Sequence, residues 1–138
     1  MATIKISALV PQLRNLTSLG DGAWVKIRPP TYEEELQRGQ LISRRSYSYD
    51  DTGRQVIQVD VNPRLLWAEE LWLTYQEANI DIEIEYEDSA TERVTFDKPR
   101  GSITRGTFME NLAKLPPNVI YEWRAMMLDI VPGWSSPF

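Results

Sequence analysis

Alternation is the first signal along the chain. Ile80, Ile82, Ile84 and Tyr86 alternate strictly with Asp81, Glu83, Glu85 and Glu87, the period of a strand buried on one face and solvated on the other. Glu87-Asp88-Ser89 is placed to turn this strand back into Arg93 to Phe96 as a hairpin. A second hairpin is predicted where Tyr47-Ser48-Tyr49 and the run from Gln55 to Val61 flank Asp50-Asp51-Thr52-Gly53. Nearer the start, Ile4, Ile6 and Ala8 alternate until Pro11, and Trp24-Val25-Lys26-Ile27-Arg28 predicts a strand closed by Pro29-Pro30. Leu13 to Leu19 fits neither period, and Gly20-Asp21-Gly22 reads as a turn.

Helical spacing appears in four places. Thr31-Tyr32-Glu33-Glu34 has the form of a capping box, Thr31 and Glu34 each covering a free backbone N–H, and Tyr32 and Leu36 follow at i, i+4. Asn62-Pro63 opens a second helix with a cap residue and a proline suited to the first turn. On it Trp67, Ala78, Leu71, Tyr75, Ala68, Trp72 and Leu65 fall within one arc of about 160°, which predicts the core face. A short helix is predicted around Thr107 to Lys114, with Thr107 and Glu110 as its capping box. After Leu115-Pro116-Pro117, a last helix from about Asn118 to Val131 places Val119, Ile120, Trp123, Met126, Met127 and Ile130 on one face. Pro132-Gly133 ends it.

These elements predict an α+β fold. A small antiparallel or mixed sheet, made of the two hairpins plus N-terminal strands, packs against three to four helices in one domain spanning residues 1–138. The 138 residues suit one domain and are too few for two ordinary ones. Two helices carry an apolar pair outside the core arc: Leu66 with Leu73, and Tyr121 with Leu128. Such second stripes pack on a neighbouring element or on a partner chain. Trp24 and Trp134 lie on no predicted buried helical face, and tryptophan is a favoured binding anchor. Trp24, Leu66, Leu73, Tyr121, Leu128 and Trp134 are therefore the candidate partner-binding residues.

Composition narrows the chemistry. Cysteine and histidine are both absent, which removes thiol nucleophiles, disulfides, Cys/His zinc sites and every histidine-dependent triad. No catalytic residue, cofactor site or metal site is expected, and the chain reads as a binding protein rather than an enzyme. The net charge of −5 argues against a duplex nucleic-acid partner, which requires a basic face. No apolar run approaches the roughly 20 residues that span a bilayer, and the start has no signal-peptide core, so a cytoplasmic location is expected.

Three segments bear on chemistry. The acidic ladder Asp81, Glu83, Glu85, Glu87 has a spacing compatible with a divalent cation or with acid-base work, and equally with a solvated strand face. Asp97-Lys98-Pro99-Arg100-Gly101-Ser102 has the residue types of an anion nest but lacks the P-loop ending, and reads as a surface loop. Arg44-Arg45 with Tyr47 and Tyr49 joins cations to aromatics as single-strand binders do, but Asp50 and Asp51 oppose that use.

Two segments resemble small tail assembly chaperones of long-tailed bacteriophages. One runs Gly22-Ala23-Trp24-Val25-Lys26-Ile27-Arg28-Pro29-Pro30-Thr31-Tyr32-Glu33-Glu34-Glu35-Leu36. The other is Leu115-Pro116-Pro117-Asn118 through Trp123, Leu128 and Pro132-Gly133-Trp134. The family is largely helical, whereas two hairpins are predicted here at the centre. The resemblance implies a factor in the host cytoplasm that coats a long helical tape-measure protein through its apolar stripes, without nucleotide, until tail-tube subunits replace it. The alternative is a structural subunit of a phage head or tail, joined to its neighbours by the Tyr47–Val61 hairpin. A carboxylate-dependent enzyme is a third reading. Each of the first two expects a protein partner, and either is compatible with a homo-oligomer.

Overall fold

The computed structural model describes residues 2, 10–42, 45–59 and 62–135, and within these the side chains of 45–48 and 56–59 are not described. The run Ile4–Ala8 and Arg44 lie outside the described residues.

The strands pair as two antiparallel sheets. The larger has four strands: β1 (Gln12–Asn15), β2 (Trp24–Ile27), β5 (Tyr75–Glu85) and β6 (Thr91–Phe96), in the order β1-β2-β5-β6. The smaller is the hairpin β3 (Arg45–Tyr49) with β4 (Gln55–Val59). Its turn is held by Asp50, whose carboxylate accepts from the backbone N–H of Thr52 and of Arg54, while Gly53 supplies the positive φ of 80° that the turn requires. Both predicted hairpins are therefore present. The ambiguous stretch after Pro11 resolves into β1 and a 3₁₀ turn, Thr17–Leu19, that presents buried Leu16 to the core.

Period-two patterning assigns the two faces of the larger sheet. Val25, Ile27, Ala78, Ile80, Val94 and Phe96 point inward and are buried. Outward, Lys26 pairs with Glu77 at 3.7 Å, and Asp81 with Arg93 at 2.7 Å. The ladder Asp81, Glu83, Glu85 is thus an exposed strand face, and among the described residues no group of three carboxylates is placed to hold a metal ion.

The helices are α1 (Tyr32–Ile42), α2 (Pro63–Thr74), α3 (Arg105–Lys114) and α4 (Pro117–Ile130). The Thr31–Glu34 capping box forms in full: Thr31 N–H donates to the Glu34 carboxylate at 2.9 Å, and Glu34 N–H to the Thr31 hydroxyl at 3.2 Å. Asn62 caps α2 by accepting from Arg64 N–H and Leu65 N–H. The cap of α3 differs from expectation. Thr104, not Thr107, is the N-cap, its hydroxyl accepting from Thr107 N–H, so the helix starts at Arg105.

Helix α2 also ends earlier than its apolar arc predicts. Thr74 returns its hydroxyl to the Glu70 carbonyl, and Tyr75 is already extended, so Tyr75 and Ala78 belong to β5. Arg100, from the 97–102 loop, donates to the carbonyls of Trp72 and Tyr75 at 2.9 and 3.2 Å and stacks on the Trp72 ring. A cation there complements the negative end of the helix, which gives the loop a structural task.

Under the inner sheet face lies an aromatic cluster. Phe108 sits 5.0 Å from Tyr75, 5.5 Å from Phe96 and 5.8 Å from Trp123, centroid to centroid, and all four are fully buried. Tilted and edge-to-face contacts at these distances add to the area burial of each ring.

Candidate functional site

Helix α2 packs against both α3 and α4. Each of the three helices has an apolar side toward the sheet and a second apolar side turned away from it. Between the second sides lies a groove of about 1250 Å³. Leu65 and Trp67 of α2, Met109 and Leu112 of α3, and Ile120 and Tyr121 of α4 line it, with Leu115 and Pro117 at the joint between α3 and α4. Local sequence sets this geometry. The Asn62-Pro63 cap fixes where α2 begins and so turns Leu65 outward, while Leu115 is buried at the sharp α3–α4 joint. Leu65 is 69 % exposed and Tyr121 51 %, values that leave two large apolar side chains facing solvent across the groove. Trp67 meets Tyr121 edge to face at 6.2 Å. At the rim Arg105 forks onto Glu69, and Arg64 has no ion pair among the described residues.

A smaller cleft of about 210 Å³ adjoins the groove, sharing Pro63, Leu66 and Trp67 with it. Its floor is Glu70, fully buried. Arg38 of α1 donates to one Glu70 oxygen at 2.7 Å and to the Trp134 carbonyl at 3.3 Å, and its guanidinium lies 5.0 Å from the Trp134 ring. The Nε of Arg124 approaches the other oxygen only to 3.8 Å, while its guanidinium stacks 4.4 Å from the Trp67 ring. Burial outweighs both arginines and pushes the Glu70 carboxyl up.

A second ionic knot lies beneath α1. The Glu34 carboxylate takes Arg28 at 2.7 Å and Arg100 at 3.1 Å. Burial alone would raise it, but the hydrogen bonds from Arg28 and Thr31 win and its pKa is lowered. Helix α1 is therefore attached through charge: Glu34 and Arg38 are its buried residues, while Tyr32 and Leu36 face solvent at 75 % and 51 %. Arg28, Thr31 and Glu34 all come from the segment 22–36, and they are joined to one another here.

The structure separates the six candidate partner residues. Tyr121 lies exposed in the groove. Leu66 lines the groove floor but is 5 % exposed, and Leu73 is 2 % exposed, so of the two uses expected for this pair the structure shows packing within the fold. Its physical origin is Glu70. A carboxylate between two leucines marks a solvent face in a hydropathy reading, but two arginines bring this one inside, and α2 is covered there. Trp134 is likewise buried, seated on Arg38. Leu128 is half-buried against the core, and Trp24 is half-buried on the outer sheet face beneath Lys26. Leu65 and Trp67, placed in the core arc by periodicity, instead form the groove wall. The signal that marks them is the excess of apolar positions around α2, too many for one buried face.

No family model, curated protein or solved structure matches the chain. Among the described residues, no helix is long and apolar enough to cross a membrane.

Proposed function

We propose that the chain is a non-enzymatic assembly protein of the phage tail chaperone kind, which holds a helix of a long tape-measure-type partner in the α2–α3–α4 groove. The observation that carries this reading is the open apolar groove itself, with Leu65 and Tyr121 exposed on opposite walls. Helix-in-groove recognition needs an apolar trough wide enough for anchors at i, i+3, i+4 and i+7. A groove limited to three short helices favours reversible binding over a permanent interface, which suits a chaperone that must later yield its client. The resemblance of the Leu115-Pro116-Pro117 segment adds support, because Leu115 and Pro117 line the trough.

The test is gradient sedimentation of a lysate from the source system, with the chain located by mass spectrometry. Light fractions shared with one very long helical protein, and loss of that co-migration in Leu65→Arg, are the expected result. A second reading, the virion subunit, is favoured by one observation: β3 and β4 form a sheet of their own, outside the four-stranded sheet. Migration with heavy particles at high copy number would establish it and displace the chaperone reading.

A further inference from the structure

Among the described residues, the cleft beside the groove holds a hydrogen-bonding mismatch between Arg124 and Glu70. One carboxylate, Glu70, faces two guanidinium groups. Arg38 takes one of its oxygens with a hydrogen bond, and the 3.8 Å approach of Arg124 to the other is too long for one. Nε of Arg124 and Oε1 of Glu70 are buried with no hydrogen-bond partner, and the Arg124 guanidinium makes no hydrogen bond among the described residues. Nε and Oε1 face each other away from the surface, whereas the terminal nitrogens of Arg124 belong to a partly exposed side chain, so they are where an outside acceptor can bind.

The surroundings carry the same sign. Among the described residues, groove and cleft together are lined by four arginines, Arg38, Arg64, Arg105 and Arg124, and two glutamates, Glu69 and Glu70, on a chain whose net charge is −5. A trough that is locally cationic on an acidic protein selects by charge. Trp67 is the hinge between the two spaces, since it lines both and has Arg124 stacked on its ring. We infer that the helix received by the groove carries a carboxylate beside its apolar stripe, and that the guanidinium of Arg124 receives this carboxylate next to Trp67. The inference rests on the helix-docking reading above. Arginine suits the task because its planar fork meets a carboxylate with two parallel hydrogen bonds, and stacking on Trp67 holds that plane in place.

The probe is a helical peptide of about 18 residues, five turns long, with leucines at i, i+3, i+4 and i+7 and glutamine at every flanking position. A set is made in which one flanking glutamine at a time becomes glutamate, and each peptide is titrated calorimetrically into the full chain at neutral pH. At least one glutamate peptide should bind about tenfold more tightly than its all-glutamine parent, with the advantage lost in Arg124→Gln and partly kept in Arg124→Lys. Circular dichroism checks that both variants are folded; if Arg124→Gln is not, the glutamate–glutamine comparison on the unaltered chain decides alone. Equal binding of all peptides would overturn the carboxylate inference and leave the groove reading standing. A preference that survives in folded Arg124→Gln would overturn the role of Arg124. Binding of no peptide would count against groove and carboxylate together. Self-association of the chain in sedimentation equilibrium, abolished by Leu65→Arg, would make a second copy the occupant and end the inference.

Discussion

The aromatic core and the apolar groove are built by the same three helices from opposite sides. Toward the sheet, Leu71 of α2, Phe108 of α3 and Trp123 of α4 are fully buried. Away from it, Leu65, Met109 and Tyr121 of the same helices line an open trough. Both sides are rich in large apolar groups, and among the described residues the sheet covers one of them alone. Folding of a single copy is satisfied by the first side, because the sheet supplies a surface of matching shape. The second side contributes nothing comparable to stability while it stays open to water. Apolar side chains held on rigid helices without cover are costly to keep unless something docks on them, and that contrast is what points to binding.

The largest effect is expected where the comparison is broken on the core side. Phe108 touches the rings of Trp72, Tyr75, Phe96 and Trp123. Phe108→Ala removes its share of all four contacts and leaves a cavity that the surrounding sheet and helices close only in part. A loss of about 3–5 kcal/mol is expected in chemical denaturation. A loss below about 1 kcal/mol would mean that the cluster is loosely packed, and the contrast with the groove would fail.

A smaller effect, with a different signature, is expected at the ionic seam under α1. Glu34 is bound by Arg28, Arg100 and Thr31 and its carboxyl is lowered. A carboxylate with a depressed folded pKa adds stability above its unfolded value and loses it as pH falls through the folded one. Glu34→Gln should therefore cost about 2–4 kcal/mol near neutrality, and the gap from the unaltered chain should close as pH falls below the ordinary carboxylate range. Glu70 has the opposite sign. Its raised carboxyl favours the fold at low pH and withdraws that contribution as pH rises through the folded value. Glu70→Gln should remove this slope. Parallel pH profiles for both variants and the unaltered chain would show that neither carboxylate titrates as described. The Phe108→Ala deficit, by contrast, should not depend on pH.

Much of this architecture was legible in the residues, and the exceptions have a common cause. Strict alternation in β5 was readable because its outer neighbours are carboxylates facing water. The Thr31–Glu34 box and the Asn62-Pro63 start were readable because capping is local chemistry. Leu66 and Leu73 misled because Glu70 lies between them, and no local rule says that Arg38 and Arg124 will meet it from α1 and α4. Helix α1 shows the same failure inverted, with Glu34 and Arg38 inside and Tyr32 and Leu36 outside. The groove was half legible. Tyr121 lies off the core face of α4 by periodicity alone, but Leu65 and Trp67 form the two edges of the arc of about 160° on α2, where periodicity does not say to which side a residue turns. Where α2 stops depends on Arg100, which reaches its terminal carbonyls from a loop 28 residues downstream of Trp72.

The smallest effect on stability is expected in the groove, and it is the one that isolates function. Leu65 and Tyr121 are both more than half exposed, so truncating them gives up little buried area. Leu65→Gln should change stability by no more than about 0.5 kcal/mol, Tyr121→Ser, which also removes the edge contact with Trp67, by about 1 kcal/mol, and the double variant by about the sum. Trp67 keeps its stack with Arg124 in both, since neither substitution touches that contact. The same double variant should weaken capture of an amphipathic helix at least tenfold, because each change puts a polar group where an apolar anchor seats. Stability unchanged and binding lost would separate the two sides of α2, α3 and α4 into a folding side and a docking side. A stability loss as large as that of Phe108→Ala would instead mean that the groove wall is core, and the proposed docking surface would have to be sought elsewhere.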